Sequence, residues 1–188
     1  MDFRSELQRL FSSLQNSYKD EITIDCEIAT KEHLKHLISF KRPTILHIIC
    51  HGSKEGELEF EDDSRYDIGA LCSLEKSKIK EILLEQHDSM PKLVFVNSCH
   101  SETIGRVFYE CGAKYVIMID SQDKIDDEAA QIFSENFYRM IFRGEKVSYA
   151  FKEAKSTVGL KHNSLGCCCR HSSREVHKEG CLYVKLTE

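Results

Sequence analysis

The sequence predicts a three-layer α/β domain, with a mostly parallel central sheet and helices on both faces. Nearly uninterrupted apolar runs occupy residues 44–50, 92–97 and 115–119, as expected for parallel strands that are covered on both faces. Segments in which apolar residues recur at helical spacing separate or follow these runs. Strands that alternate with helices through short connections form parallel sheets by right-handed crossovers, and the fold class follows from this order.

The first 60 residues predict two helices, an exposed strand and a hairpin arm around the first buried strand. Apolar residues at helical spacing within residues 3–17 indicate an amphipathic surface helix. Apolar and polar residues alternate strictly across residues 22–28, which predicts a strand with one face exposed to solvent. Thr30 is a candidate N-cap for a short helix, and the pair Leu58 and Phe60 indicates a short exposed strand or hairpin arm.

The rest of the chain predicts four further helices around the two remaining buried strands. Ser73 is a candidate N-cap for one helix, and Gly112 ends the helix that follows the second buried strand. Asp126 or Asp127 caps a long helix after the third strand, and the periodicity of a further helix fails after Lys155.

The expected organisation is a single domain over residues 1–158, followed by a Cys/His-rich tail over residues 159–188 that contains a final strand. That strand, residues 181–186, returns to the sheet or to its edge.

Composition and charge exclude several function classes. The 188 residues carry a net charge of −5, and the 26 basic residues form no cluster, so a nucleic-acid partner is not supported. No apolar run reaches the roughly 18–20 residues of a membrane helix, and the charged start does not fit a signal peptide, so we expect a cytoplasmic protein without a membrane partner. Nine cysteines, an odd number, do not resemble a secreted disulfide framework.

Two chemically active residues follow separate buried strands. His51 comes directly after the first strand and Cys99 after the second. The carboxyl ends of parallel strands share one edge of a sheet, where open α/β folds bind ligands. Their side chains can therefore converge to within the reach of a nucleophile and its base. A turn from strand to helix would expose the Cys99 sulfur to helix amides, and Gly52 would let a backbone N–H approach an oxyanion.

A cysteine and a histidine at one edge of the sheet, with Gly52 beside them, favour acyl transfer, most simply peptide hydrolysis. The alternative is that His51 is a hydrogen-bonded loop histidine and Cys99 one of several small apolar cysteines. His47 is expected to be packed deeper in the sheet, and His100 to face away from the dyad on the first helical turn.

The segments from Ile45 to Ser53 and from Leu93 to Ser101 resemble the His-Gly and Cys blocks of the CHAT family, which is related to metacaspases and separases among the caspase-like cysteine peptidases. The resemblance covers most of residues 22–155. It implies a caspase-like fold and a cysteine endopeptidase that needs no cofactor. The family fold usually begins with one more strand, which implies a truncated or divergent copy.

By this resemblance His51 is the general base or acid and Cys99 the nucleophile, with the amides of Gly52 and Cys99 as the oxyanion hole. The substrate would be a peptide or protein, and regulation by a separate protein, or none, is left open. The alternative is a catalytically inactive caspase-like module that acts in protein interaction or signalling. An acyltransferase or thioesterase is more distant, because Asn97 and Ser101 stand where the hydrolase elbow requires glycine.

One position departs from the metacaspase pattern. Metacaspases carry an acidic residue two positions before the nucleophile, and Asn97 stands there in this chain. A pocket for a basic substrate residue is therefore in doubt, unless Asp120 and Asp127 supply the charge from the same edge. Asp127 is equally a candidate helix cap.

The tail holds a candidate structural zinc site. Cys168 and His171 are separated by two residues, and His177 and Cys181 by three, which allows a tetrahedral Cys2His2 arrangement. The alternatives are a flexible loop with incidental cysteines and a redox role for the three consecutive cysteines.

Overall fold

A computed structural model of the protein describes residues 3–15, 22–62, 70–85, 89–119, 127–162 and 182–186. In chain order its elements are α1 (Phe3–Gln15), α2 (Lys31–His36), β1 (Ile45–Ile49), β2 (His51–Gly52), β3 (Leu58–Glu61), β4 (Leu71–Leu74), α3 (Lys76–Leu84), β5 (Leu93–Asn97), α4 (Glu102–Glu110), β6 (Tyr115–Ile119), α5 (Asp127–Phe142), α6 (Val147–His162) and β7 (Leu182–Leu186). A π-helical segment, Leu37–Lys41, continues α2.

The four strands of the main sheet lie in the order β1, β5, β6, β7. The first three are parallel and β7 is antiparallel to β6. A second, antiparallel sheet contains β2, β3 and β4. The described helices and the parallel strands confirm the α/β class and are consistent with a three-layer caspase-like fold. The last strand returns to the sheet edge, as predicted.

The chain divides into two compact units. The unit that contains the sheets comprises Cys26–Lys124 and Leu182–Glu188. One face of its main sheet packs in a single apolar cluster with α2, α3 and α4. The main-sheet residues in that cluster are Leu46, Ile48, Val94, Val96, Val116 and Met118. Phe95 and Ile117 alternate to the opposite face and are also fully buried. Burial on both faces explains why the parallel strands appear in the sequence as continuous apolar runs.

The other unit comprises Met1–Asp25 and Ile125–Cys181, and it contains α1, α5 and α6. Polar contacts join α1 to α5. The Ser134 hydroxyl donates to Glu6 Oε1 at 3.0 Å in a buried position, and Arg9 Nη1 lies 3.0 Å from Glu135 Oε2. The buried carboxylate of Glu6 thus has a hydrogen-bond donor, without which its burial would be costly.

The local signals at several helix ends are confirmed. Thr30 has extended backbone angles, and its side chain accepts a hydrogen bond from the His33 amide at 3.1 Å. Gly112, predicted to end α4, follows that helix with φ of +110°. The helix α5 is likewise followed by a glycine in the left-handed region, Gly144 with φ of +88°. None of the described helices has the length and apolarity needed to cross a membrane.

Three element predictions are wrong. Residues 22–30 form no strand, and Ile28 is 57% exposed. Alternation creates a strand only where another strand offers hydrogen bonds, and β1 pairs with β5 alone within the described ranges. Ser73 lies in β4 opposite Glu59, and α3 begins at Lys76 instead. The last helix continues beyond Lys155 to His162.

Helix α4 approaches strand β6 closely at Gly105. A Cβ atom added at Gly105 would lie 2.8 Å from Met118 Cβ and would also overlap the Met118 sulfur. By contrast, a Cβ added at Gly159 in α6 would meet nothing within 4 Å. The two glycines therefore differ in their surroundings although both lie in helices.

We expect the same substitution to have opposite effects at these two glycines. Gly105→Ala should lower the free energy of unfolding by about 1–3 kcal/mol, because Met118 and its strand must shift. Gly159→Ala should raise it by up to about 1 kcal/mol, since alanine favours the helix and nothing obstructs its methyl group. Urea unfolding of both variants measures this, and equal effects at the two positions would contradict the close α4 to β6 contact.

Candidate active site

The register of β1 on β5 brings the ends of the two strands to the same level. Ile49 pairs with Asn97, and the Cys50 amide donates to the Asn97 carbonyl at 3.4 Å. His51 and Cys99 each come two residues after this last pair. Neighbouring strands lie about 4.8 Å apart. The two segments therefore leave the sheet side by side at its carboxyl edge.

Gly52 lies directly against the backbone that carries Cys99. A Cβ atom at Gly52 would overlap the Cys99 carbonyl oxygen and would lie 2.5 Å from Ser98 Oγ. Because the obstructing oxygen belongs to the backbone, a side chain at position 52 would force the two segments apart. The contact requires glycine at this position.

The turn of residues 98–101, here called the Cys99 turn, joins β5 to α4. Two buried serines flank the cysteine. The Ser101 hydroxyl donates to the Val96 carbonyl at 3.0 Å, and the Ser98 hydroxyl donates to the Cys99 carbonyl at 3.4 Å. His100 has φ of +56°, in the left-handed region. It precedes α4, so the prediction that it lies on the first helical turn is wrong.

Burial distinguishes Cys99 from Cys50 and Cys111, and its position at the end of a parallel strand distinguishes it from Cys26 and Cys72. Burial raises the pKa of the Cys50 thiol to about 12, and it also raises the pKa of Cys111. Both are therefore protonated at neutral pH and are poor nucleophiles. Cys26 is exposed before α2, and Cys72 lies in β4. Cys99 is partly exposed and follows a parallel strand, the position where ligands bind in such sheets.

The two histidines of this region have different environments. His51 is exposed in β2, opposite Glu59 of β3. His47 stacks on Phe95 with ring centroids 4.4 Å apart, and both of its ring nitrogens are shielded from solvent. Burial lowers the pKa of His47 to about 3, which keeps it neutral. His47 is thus a packed histidine, as expected, whereas His51 is exposed.

The remaining predicted site residues lie partly within and partly outside the described residues. Asn97 is fully buried at the end of β5, on the same face as Phe95. Asp127 is the first residue of α5, and Asp120 lies outside the described residues. The four predicted zinc ligands also lie outside the described residues: Cys168, His171, His177 and Cys181. Within the described ranges, no group of three or more His, Cys, Asp or Glu side chains is arranged to hold a metal ion.

Ser98 was not predicted from the sequence as a site residue, although it has contacts at the site. Its hydroxyl lies beside Gly52 and donates to the Cys99 carbonyl. One signal in the sequence could have identified it. Continuing the alternation of β5 places Ser98 on the same face as the buried Val94 and Val96, so a polar residue there needs a hydrogen-bond partner.

Comparison with known proteins agrees with the resemblance of the two blocks. Residues 2–168 match the family model of the CHAT domain. A protein named Roc-COR-CHAT protease, from an unknown prokaryotic organism, is 28% identical over 136 residues, which are 69% of this chain and 12% of that protein. A protein of Gillisia limnaea named probable protease is 27% identical over 174 residues, which are 87% of this chain and 28% of that protein. The chain thus spans a small part of each relative.

We expect Gly52→Ala to disrupt the site. The added methyl group must displace the Cys99 carbonyl, so the free energy of unfolding should fall by about 1–3 kcal/mol. Gly159→Ala is the matched control, because its methyl group meets nothing. Urea unfolding measures the difference, and a neutral Gly52→Ala would show that the two segments do not touch.

We expect His47 to make the fold sensitive to acid. Above pH 6.5 the His47 imidazole is neutral in both the folded and the unfolded protein. Below pH 6.5 it becomes protonated in the unfolded chain but stays neutral in the folded one, because burial lowers its pKa to about 3. The free energy of unfolding therefore falls as the pH falls. Between pH 7 and pH 5 the wild type should lose about 2 kcal/mol more than His47→Phe, which retains the aromatic stack. Denaturant unfolding at the two pH values tests this. An equal loss in both proteins would contradict it.

Proposed function

The chain belongs to the CHAT family, and we propose that it is a cysteine endopeptidase in which Cys99 is the nucleophile and His51 the general base and acid. One observation carries the proposal. The register of β1 on β5 and the contact of Gly52 with the Cys99 backbone bring the His and Cys segments together at the carboxyl edge of the sheet. That proximity is what a nucleophile and its base require.

The accessibility of Cys99 and the helix that follows it also support Cys99 as the nucleophile. Of the cysteines at the two strand ends, Cys50 is held as a thiol by burial, whereas Cys99 is partly accessible. The Cys99 turn leads directly into the nine-residue helix α4, whose N-terminal partial positive charge favours an anion such as a thiolate.

The proposed reaction has two stages. The Cys99 thiol transfers its proton to His51, and the thiolate attacks the peptide carbonyl carbon, while the carbonyl oxygen becomes an anion that the amides of Gly52 and Cys99 stabilise. The His51 imidazolium then donates its proton to the leaving amine, which leaves a thioester. Water, deprotonated by His51, hydrolyses the thioester and restores the thiol.

The substrate would be a peptide or protein, in keeping with the names of the two relatives. Asn97 is neutral, so this position offers no negative charge to a basic substrate residue. We therefore propose that the substrate residue before the scissile bond need not be basic. The two-residue chemistry needs no cofactor. We place its action in the cytoplasm.

We expect the reactivity of Cys99 to depend on His51. Cys99 should react with iodoacetamide well below pH 8.5, about the ordinary pKa of a free cysteine, because an imidazolium stabilises the thiolate. In His51→Ala the reaction at pH 6.5 should slow by about tenfold or more. Peptide mass mapping of a pH series measures the rate at each cysteine.

Two controls accompany this experiment. The exposed Cys26 of the same sample serves as an internal reference for general thiol reactivity. Cys99→Ala should abolish cleavage in a mixture of unstructured peptides if cleavage is detected with the wild type. If Cys99 titrates identically in the wild type and in His51→Ala, the peptidase proposal is wrong, and the inactive caspase-like module is favoured.

A further inference from the structure

The hairpin of β2 and β3, which begins with His51, touches the Cys segment at a second point, at the start of helix α4. Residues 53–57, here called the hairpin loop, connect β2 to β3. A Cβ atom added at Gly56 of this loop would lie 2.9 Å from Thr103 Oγ1 and 3.1 Å from Thr103 Cβ, and Gly56 is buried. Thr103 lies in the first turn of α4. With the contact at Gly52, the hairpin therefore meets the Cys segment at two points.

The hairpin loop is held in one shape by its own hydrogen bonds. The Ser53 amide donates to the Glu57 carbonyl at 3.0 Å, and the Gly56 amide donates to the Ser53 carbonyl at 3.0 Å. The Ser53 hydroxyl accepts from the amides of Glu55 and Glu57 at 3.2 and 3.3 Å. Gly56 has φ of +79°, which glycine adopts without strain. Because the loop is closed in this way, a displacement of Gly56 would be passed on to the strand that carries His51.

We propose that Gly56 and Thr103 are positioning residues for His51. The proposal rests on the proposed function of the dyad. The contact at Gly52 fixes one point of the hairpin against the Cys99 turn, and the second contact, on α4, limits rotation of the hairpin about that point. The two contacts together set the placement of the histidine relative to the thiol. Small displacements of reacting groups have large effects on the rate.

Gly112 offers a matched comparison, because it shares the backbone conformation of Gly56 but not its contact. It follows α4 with φ of +110°, and a Cβ atom added there would lie 4.0 Å from Met90 Cγ, an ordinary contact distance. Alanine at either glycine strains the backbone, since residues with a Cβ rarely adopt a positive φ. Only alanine at Gly56 also pushes against Thr103.

The test measures iodoacetamide alkylation of Cys99 against pH, with thermal unfolding recorded for each variant of the full chain. In Gly56→Ala the rate at pH 6.5 should fall by about threefold to tenfold, and the profile should move toward that of His51→Ala. In Gly112→Ala the melting temperature should also fall, but the rate should stay within about twofold of the wild type. In the His51→Ala background, Gly56→Ala should have no further effect, since it acts through His51.

Substitutions of Thr103 test the same contact from the helix, should Gly56→Ala fold poorly. Thr103→Ile keeps the branch at Cβ and puts a larger group in place of the hydroxyl, so it should shift the Cys99 profile as Gly56→Ala does. Thr103→Ser retains Cβ and the hydroxyl, the two atoms of this side chain that lie nearest to Gly56, and should preserve the wild-type profile.

The outcomes separate this inference from the proposed function. If His51→Ala slows Cys99 but Gly56→Ala and Thr103→Ile do not, the dyad stands and the positioning role is wrong. Equal slowing by Gly56→Ala and Gly112→Ala would also overturn it, because backbone strain without the contact would then suffice. The same holds if Gly56→Ala slows Cys99 equally with and without His51. If His51→Ala has no effect, the proposed function itself fails, and the positioning role fails with it.

Discussion

The parallel register of β1 on β5 is the constraint on which the site depends. Pairing Ile49 with Asn97 aligns the ends of both strands, so the segments of His51 and Cys99 leave the sheet together. Side chains alternate between the faces of a strand, and a slip of one residue would turn every side chain of β1 to the other face. The buried apolar cluster on one face of the sheet prevents such a slip. The core that stabilises the fold therefore also sets the level at which the segments of His51 and Cys99 leave the sheet.

Burial on both faces made the central strands predictable. A parallel strand that contacts the core on each side must be apolar along its length, and such runs stand out in a sequence. The segment of residues 22–28 and Ser73 were mispredicted because their signals are local, whereas strand pairing depends on distant partners. Ser73 could cap a helix by its chemistry, but it pairs opposite Glu59 because β3 offers hydrogen bonds there.

The placement of the His51 and Cys99 segments at one edge of the sheet could be predicted from the sequence, but the burial of the side chains there could not. His51, Gly52 and Cys99 follow apolar runs, and their placement at one sheet edge follows from topology alone. Cys50 and Cys99 are the same residue type at equivalent strand ends, and only three-dimensional packing shows that one thiol is buried and the other accessible. The proximity of Ser98 to Gly52 was likewise beyond the reach of the sequence, because it depends on register and not on spacing along one strand.

Small residues, rather than the chemical groups themselves, determine how closely the two strand ends approach. Gly52 has no side chain where the Cys99 carbonyl stands, and the Ser98 hydroxyl lies against the same glycine. These two residues touch, so a change at one alters the space that the other must fill, and their effects on the geometry should be coupled. Dense packing transmits such changes because it leaves few voids to absorb them. The separation of the proposed nucleophile and its base therefore depends on how the small residues beside them pack.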